Sequence, residues 1–305
     1  MYAHTPIITS SDSEGAGDAF SVNSEVPSAS GEDAFGEKES MFFRRKAYLT
    51  VSSQLHLEAL STACSRVYTL SPCFRAERSQ TSRHLAEFWM LEAEWTFTKQ
   101  LDDVCAVVED VIKSAVQTVL KDEGSKNEDL QKRAEEISLN KSWERIRYID
   151  AIHELQAVQS SSSNPSFRFK PTVGKPLQSE HEKWLAEKVG GPVFVTDYPW
   201  HLKPFYMRRN DDGQTVSCFD LLMPGLGELV GGSLREERLD MLDQAMVKHS
   251  MQDKEEYWWY RELRKYGGAP HAGFGLGFER LVSVLTGQGV RECIAMPRWT
   301  GRMLL

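Results

Sequence analysis

The chain has 305 residues, 41% hydrophobic and 26% charged, globular proportions that exclude a fibrous repeat or a wholly disordered chain. No stretch approaches the roughly 20 uncharged apolar residues of a spanning helix, so no membrane partner is expected. The net charge of −8 is local: between Asp12 and Glu39 stand eight acidic residues and one Lys, and the rest of the chain is near neutral. Such a body can still present a basic face to a phosphate backbone.

The first residues, MYAHTPIITSSDSEG, have neither an apolar signal core nor an Arg-rich presequence pattern, and reach a strand or helix exit after Pro6. Residues 23–40 are Ser-, Gly- and Glu-rich and predict a mobile acidic loop. FFRRKAYLTVSS predicts a strand, QLHLEALSTAC a helix, RVYTLSPCFRAE a strand, and EFWMLEAEWTF a second strand beyond the turn-forming RSQTSRHL. Residues 99–165 predict a mostly helical insertion, with apolar spacing at Leu101, Val104, Val107, Val108, Val111 and Ile112 and a loop over 159–166. PVFVTDYP, KPFYMRR, SCFDLLMP and ELVGGSLRE predict short strands, EERLDMLDQAMVKHS a helix, and HAGFGLGFERLVSVLTG a strand leading into a helix. Antiparallel strands with interspersed helices predict an α+β fold in one domain over 1–305. Five cysteines, at 64, 73, 105, 218 and 293, form no close pair. They read as inert thiols in a reducing compartment, Cys73 alone bordering a motif.

Two segments carry chemistry. In FRAERSQTSRHLAEFWMLEAE, side chains two apart on a strand share a face. A hairpin would therefore bring Arg75, Glu77, Phe88 and Glu92 onto one surface, with His84 in the turn. That surface offers a fixed cation for a phosphate, carboxylates for an amino group, and an aromatic face for stacking. Any one pair could be solvated surface charge; the combination is harder to account for in that way. In GFGLGFER, Gly273, Gly275 and Gly277 alternate along one strand face, a floor without side chains on which a planar base can rest. Arg280 follows as a permanent cation. Alternating glycine alone also suits a bulged strand.

These segments resemble the second and third motifs of the class II aminoacyl-tRNA synthetases, and HTPIITSS resembles the tail of the first, with Pro6 as its proline. YLTVSSQLHLEA, PVFVTDYPWHLKPFYMR and DLLMPGLGELVGGSLREER narrow the likeness to the aspartate/asparagine subgroup, and to asparaginyl-tRNA synthetases of the bacterial and mitochondrial type. The likeness covers roughly 1–22, 42–98 and 166–300. It implies the class II catalytic fold, an antiparallel sheet flanked by helices, and an ATP-dependent activation of asparagine followed by transfer to tRNA(Asn).

The resemblance also implies roles. Arg75 would hold the α-phosphate of ATP and Arg280 the γ-phosphate. Phe88 and the floor of Gly275 and Gly277 would sandwich the adenine, while Glu77, Arg83 and His84 complete the nucleotide site. Glu228, with Asp220, would hold Mg²⁺. Glu14, Gln54 and Arg235 would line the amino-acid pocket. Glu228 and Arg235, seven apart, should face opposite ways on a regular strand unless a bulge at Gly231–Gly232 intervenes. The aspartate relatives carry a Lys where this chain has Leu57. Without that cation a buried carboxylate loses its partner and a neutral amide loses much less, which favours asparagine over aspartate.

An aspartyl-tRNA synthetase and an aspartate–ammonia ligase are thereby disfavoured. A non-catalytic relative acting as a binding or regulatory protein is opposed by the intact motif residues. The resemblance further implies an N-terminal anticodon-reading barrel and a first-motif helix that the sequence as given does not include, a homodimer in the full-length protein, and a mitochondrial matrix location ahead of a cytoplasmic one.

Overall fold

The computed structural model describes residues 1–10, 19–22, 42–78, 81, 83–122, 127–137, 141–161, 167–251 and 255–303. In chain order its strands are β1 (Ile8–Thr9), β2 (Ser21–Val22), β3 (Ala47–Leu49), β4 (Arg66–Phe74), β5 (Glu87–Thr96), β6 (Glu144–Arg147), β7 (Val193–Thr196), β8 (Cys218–Met223), β9 (Gly227–Leu234) and β10 (His271–Gly277). Its helices are α1 (Gln54–Cys64), α2 (Leu101–Asp122), α3 (Glu128–Glu136), α4 (Tyr148–Ser160), α5 (Ser179–Val189), α6 (Leu239–Lys248), α7 (Trp258–Lys265) and α8 (Phe278–Thr286). A seven-stranded sheet runs β4-β5-β10-β9-β8-β7-β6, antiparallel except for the β6–β7 pair, and a small second sheet runs β1-β3-β2. This is the α+β antiparallel architecture expected, with helices on both faces of the main sheet.

Strand alternation explains the layers. On β10 the even residues Ala272, Phe274 and Leu276 pack into the main core, beneath the α2 stripe of Val104, Val108, Ile112 and Val116. That stripe recurs every three to four residues, the period of one helix face, and Asp102 and Asp103 in the first turn with Lys121 in the last suit the helix dipole. On β6–β8 the opposite face is covered by α4 and α5 through Ile152, Leu155, Leu185, Val193 and Val195. The rest of that face is flanked by α1, α6 and α7, joined in a third cluster through Leu55, Leu242, Met246, Tyr257 and Tyr260. The open space left between these helices, above the odd residues of β10, is where the candidate site forms.

Several boundaries differ from expectation. FFRRKAYLTVSS yields only the three-residue β3, with Phe42 and Phe43 exposed. KPFYMRR makes isolated bridges, Met207 to Arg235 and Arg209 to Val216, instead of a strand. Pro204 has no N–H to donate, and Phe205 and Tyr206 turn into the third cluster. The described residues of 99–165 form three helices and one sheet strand, and α4 runs through Ser160, into the stretch expected to be loop. Residues 23–40 lie outside the described residues. Among the described residues no helix is long and apolar enough to cross a membrane.

Candidate active site

A cavity of about 390 Å³ opens on the odd face of β10. Its floor exists because alternating positions carry no side chain. Gly275 sits opposite Glu92 of β5 and Gly231 of β9, and Gly277 opposite Met90. Gly273 plays a different part from the floor role expected of it. A Cβ there would stand 1.9 Å from Glu94 Oε2 and 2.7 Å from Arg235 Nη2, so this glycine makes room for a buried ion pair. On β9 the register slips: Leu221 pairs Val230 but Leu222 pairs Glu228, leaving Leu229 as the extra residue. The bulge expected at Gly231–Gly232 thus lies at Leu229. It does what a bulge there was expected to do, since it brings Glu228 to the same face as Gly231 and Arg235.

One end of the cavity is rich in cations and aromatic surface. Arg75 follows β4 directly; its guanidinium carbon is 5.4 Å from the centroid of Phe88, and its Nη1 is 4.0 Å from Glu77. In the connection between β4 and β5, His84 faces Glu77 at 3.4 Å and Thr81 at 2.6 Å, and burial holds its pKa below the ordinary imidazole value. Arg83 pairs with Glu182 at 2.5 Å, although its buried Nε has no hydrogen-bond partner among the described residues. Arg280, on the first turn of α8, donates to the Glu228 carbonyl at 2.9 Å and lies 3.5 Å from that residue's carboxylate. Partial burial opposes the Glu228 charge, but Arg280, Lys203 and Arg83 outweigh it and hold the carboxyl below its usual range. Asp220, across the strand from Gly231, accepts from Lys203 Nζ with both oxygens, at 2.7 and 2.6 Å. Glu228 Oε1 and Asp220 Oδ1 would lie 3.4 and 3.8 Å from a Cβ at Gly231, so the two carboxylates flank one point.

The other end is a buried polar network. Glu92 accepts from Ser52 Oγ at 2.5 Å and from the Ser53 amide at 2.8 Å, and burial pushes its carboxyl up. Arg235, 3% exposed, grips Glu94 with Nε and Nη2 at 2.9–3.2 Å and gives Nη1 to Ser233 at 2.6 Å. Glu58, fully buried on α1, accepts from Tyr260 at 2.7 Å, Arg264 at 2.6 Å, His271 at 3.1 Å and Gln54 at 3.1 Å, with Arg235 Nε 3.9 Å away. Burial opposes the Glu58 charge; Arg264, His271 and Arg235 overcome it and hold the carboxyl well below the usual range. Glu58, Glu94 and His271 lie close enough to chelate an ion. Two guanidinium groups already occupy those oxygens, so the cluster is an ion-pair network and not a metal centre.

Of the fourteen residues to which the resemblance gave a role, thirteen line this one cavity: Gln54, Leu57, Arg75, Glu77, Arg83, His84, Phe88, Asp220, Glu228, Arg235, Gly275, Gly277 and Arg280; Glu92, placed on the same surface by strand alternation, lines it too. Glu14 lies outside the described residues. Leu57 serves two surfaces at once, packing with Ala3 and Val67 while lining the cavity. Sequence reasoning missed Lys203, Glu94, Tyr206 and the Glu58–Tyr260–Arg264–His271 network. Only Glu94 left a signal, as the second Glu of the alternating EAE on the face already chosen.

An antiparallel sheet whose glycine-floored face holds a cationic, aromatic end and a buried charge-paired end defines a class II synthetase catalytic domain. The family model of the class II tRNA synthetases (D, K and N) matches residues 1–300. The chain is 47% identical to the asparagine–tRNA ligase of Bacillus cytotoxicus over 99% of its own length and 66% of that protein's. It is 46% identical to the Legionella pneumophila asparagine–tRNA ligase, covering 99% of itself and 65% of the relative. Among solved structures, asparaginyl-tRNA synthetase from Pyrococcus horikoshii complexed with asparaginyl-adenylate superposes with a TM-score of 0.82 at 32% identity, over 99% of this chain and 64% of that one. The Entamoeba histolytica asparaginyl-tRNA synthetase gives 0.81 at 30%, over 99% and 63%. The chain belongs to the class II tRNA synthetases of the D, K and N family. It spans just under two thirds of the length of these relatives.

Proposed function

We propose that this chain is the catalytic domain of an asparagine–tRNA ligase, which activates asparagine with ATP and passes it to tRNA(Asn). The observation that carries the proposal is the division of one cavity into a cationic, aromatic end and an end of buried paired charge, with Leu57 beside the latter. The first end suits a nucleoside triphosphate: Phe88 and the Gly275–Gly277 floor take the adenine, Arg75 the α-phosphate and Arg280 the γ-phosphate, with Glu77, Arg83 and His84 closing the site. The second suits a small zwitterion with a neutral side chain. Glu92 and Gln54 meet the ammonium, and Arg235 meets the side-chain oxygen.

The asparagine carboxylate attacks the α-phosphorus in line and pyrophosphate leaves; a hydroxyl of the tRNA terminal adenosine then attacks the mixed anhydride. A carboxylate is already ionised at neutral pH, so the first step needs no general base. Rate comes from holding the two reactants in line and from fixed cations facing the charge that develops on the phosphates. Glu228 fits a Mg²⁺ that would accompany ATP, because its carboxylate borders the open point above Gly231 and oxygen donors suit that ion. When bound, the ion would neutralise phosphate charge. Asp220, on the same side of that point, is already paired with Lys203.

For the full-length protein we propose a homodimer. Tyr2, Ile7, Ile8 and Tyr68, each 41–45% exposed, supply an apolar surface beside the first-motif tail, and sedimentation velocity tests it. The decisive test of the activity is ATP–pyrophosphate exchange with asparagine and aspartate in parallel. Exchange with asparagine alone is expected. Exchange with aspartate alone overturns the substrate, and silence with both in a folded chain overturns the catalytic reading.

A further inference from the structure

One buried carboxylate on the cavity wall has no part in the chemistry above. Glu279 stands next to Arg280 in the segment GFGLGFER, is 3% exposed, and lines the cavity where β10 gives way to α8. Both of its oxygens accept from one donor, the backbone amide of Trp89 on β5, at 3.0 and 3.1 Å. The strand register explains the contact. β10 pairs with β5 as far as Gly277 opposite Met90, and one further step would set Phe278 opposite Trp89. The chain enters α8 at Phe278 instead, so the Glu279 side chain supplies the acceptor that a longer β10 would have offered.

Part of this is ordinary. An amide at a strand end needs an acceptor, and a carboxylate in the first turn of a helix suits the dipole. What sets Glu279 apart is what lies on either side of its hydrogen bond. The amide it grips belongs to the rigid peptide plane that joins Phe88 to Trp89, and Phe88 is the aromatic wall of the nucleotide end. The residue after Glu279 is Arg280, whose stem folds back over the floor: its Cδ and Cγ would lie 3.4 and 3.5 Å from a Cβ at Gly277. One hydrogen-bonded carboxylate thus stands between the stacking ring and the cation assigned to the γ-phosphate.

We propose that Glu279 is a positioning residue that fixes Arg280 relative to Phe88, so that a single nucleoside triphosphate meets both at once. The role rests on the nucleotide reading above. A ligand that spans two anchors gains when their separation is set before it arrives, and a ligand that touches one does not. ATP spans both. AMP ends at the phosphate that Arg75 holds, and both of its anchors belong to β4, β5 and their connection.

The test is equilibrium dialysis of ATP and of AMP, each with Mg²⁺, against wild type and Glu279→Ala. Wild type is measured first. ATP bound no more tightly than AMP there would overturn the nucleotide reading, and this role with it, without reference to Glu279. In Glu279→Ala the preference for ATP over AMP is expected to fall by about tenfold, the loss falling on ATP. A fall below about threefold, including one in which both nucleotides weaken alike, makes Glu279 a residue of the fold alone and overturns the proposal. Repeating the substitution in an Arg280→Ala background gives a second readout that a purely structural role would not move. A residue acting through Arg280 changes ATP affinity by no more than about twofold there, and a larger loss overturns the proposal. Should Glu279→Ala fail to fold, Glu279→Asp keeps the charge at the start of α8 but is one methylene shorter, and is read by the same ratio and the same limits.

Discussion

Gly273 and Gly275 are two residues apart on one face of β10, and adding a methyl group to each should have different consequences. At Gly273 an added Cβ meets Glu94 Oε2 at 1.9 Å, the Ala93 carbonyl at 2.4 Å and Arg235 Nη2 at 2.7 Å. The carbonyl belongs to the adjoining strand, where Ala93 pairs with Phe274, and cannot rotate away. Overpacking a filled site costs about 1–3 kcal/mol, and displacing one member of a buried ion pair up to about 3–5 kcal/mol. Gly273→Ala should therefore lose about 3 kcal/mol or more of stability and weaken asparagine binding, since Arg235 moves. At Gly275 the nearest atom is Met90 Sδ at 3.1 Å, a thioether on a flexible stem. The strain there is small, and the entropy that alanine removes from the unfolded chain, about 0.4–1 kcal/mol, offsets it. Gly275→Ala should melt within about 1 kcal/mol of wild type, yet raise the KM for ATP about tenfold by lifting the base off its floor. Urea midpoints and exchange kinetics on both variants supply the comparison. Equal stability of Gly273→Ala and wild type would refute the ion-pair account of that glycine.

Three further outcomes follow from the same geometry. Arg75→Ala or Arg280→Ala should lower adenylate formation by about 100-fold or more, and a loss below about threefold in pyrophosphate exchange removes either residue from the phosphate site. Burial pushes the Cys105 and Cys218 thiols up to about 12, while Cys64 is exposed on the last turn of α1. Iodoacetamide at mildly alkaline pH should therefore label Cys64 first and reach Cys105 and Cys218 only after denaturation, as read by peptide mass spectrometry; early labelling of Cys218 would contradict its burial. Glu58 is held below the ordinary glutamate value of 4.5 in the folded chain, so its ionised form stabilises the fold above that pH and the contribution is lost as pH falls further. The stability gap between wild type and Glu58→Gln should accordingly narrow between about pH 5 and pH 3, and a gap that does not change with pH would show that the carboxylate gains nothing from its partners.

The sequence made the cavity legible where chemistry follows local spacing. Alternation on β5 and β10 places Phe88, Glu92 and the odd glycines on one face from two short segments, because the strand period needs no knowledge of what packs above. Helices with clear apolar periodicity, α1, α2 and α6, were visible for the same reason. The segment at Lys203–Arg209 was not. Its short apolar run between basic residues resembles a strand, but Phe205 and Tyr206 are drawn into the α6–α7 cluster and Arg208 and Arg209 into contacts with Glu237 and Glu236. Tertiary packing overrides a pattern that local propensity alone would extend.

The charge network shows where such reading stops. His271 reaches Glu58 across 213 positions, Arg264 across 206, and Arg235 reaches Glu94 across 141. None of these residues has a neighbour in sequence that marks it as buried, and each read alone is more consistent with a solvated surface charge. What compels the pairing is the fold: α7 delivers Tyr260 and Arg264 onto α1, and the bulge at Leu229 sets the face on which β9 ends. A glycine supplies the one sequence-level trace, because Gly273 is required by the space that the Glu94–Arg235 pair fills. Read forwards, the glycine suggested a floor for a ligand. In the folded chain that floor begins only at Gly275, and the residue before it in the same series serves the specificity end of the cavity instead. Mutating these two glycines therefore separates binding of the base from recognition of the side chain.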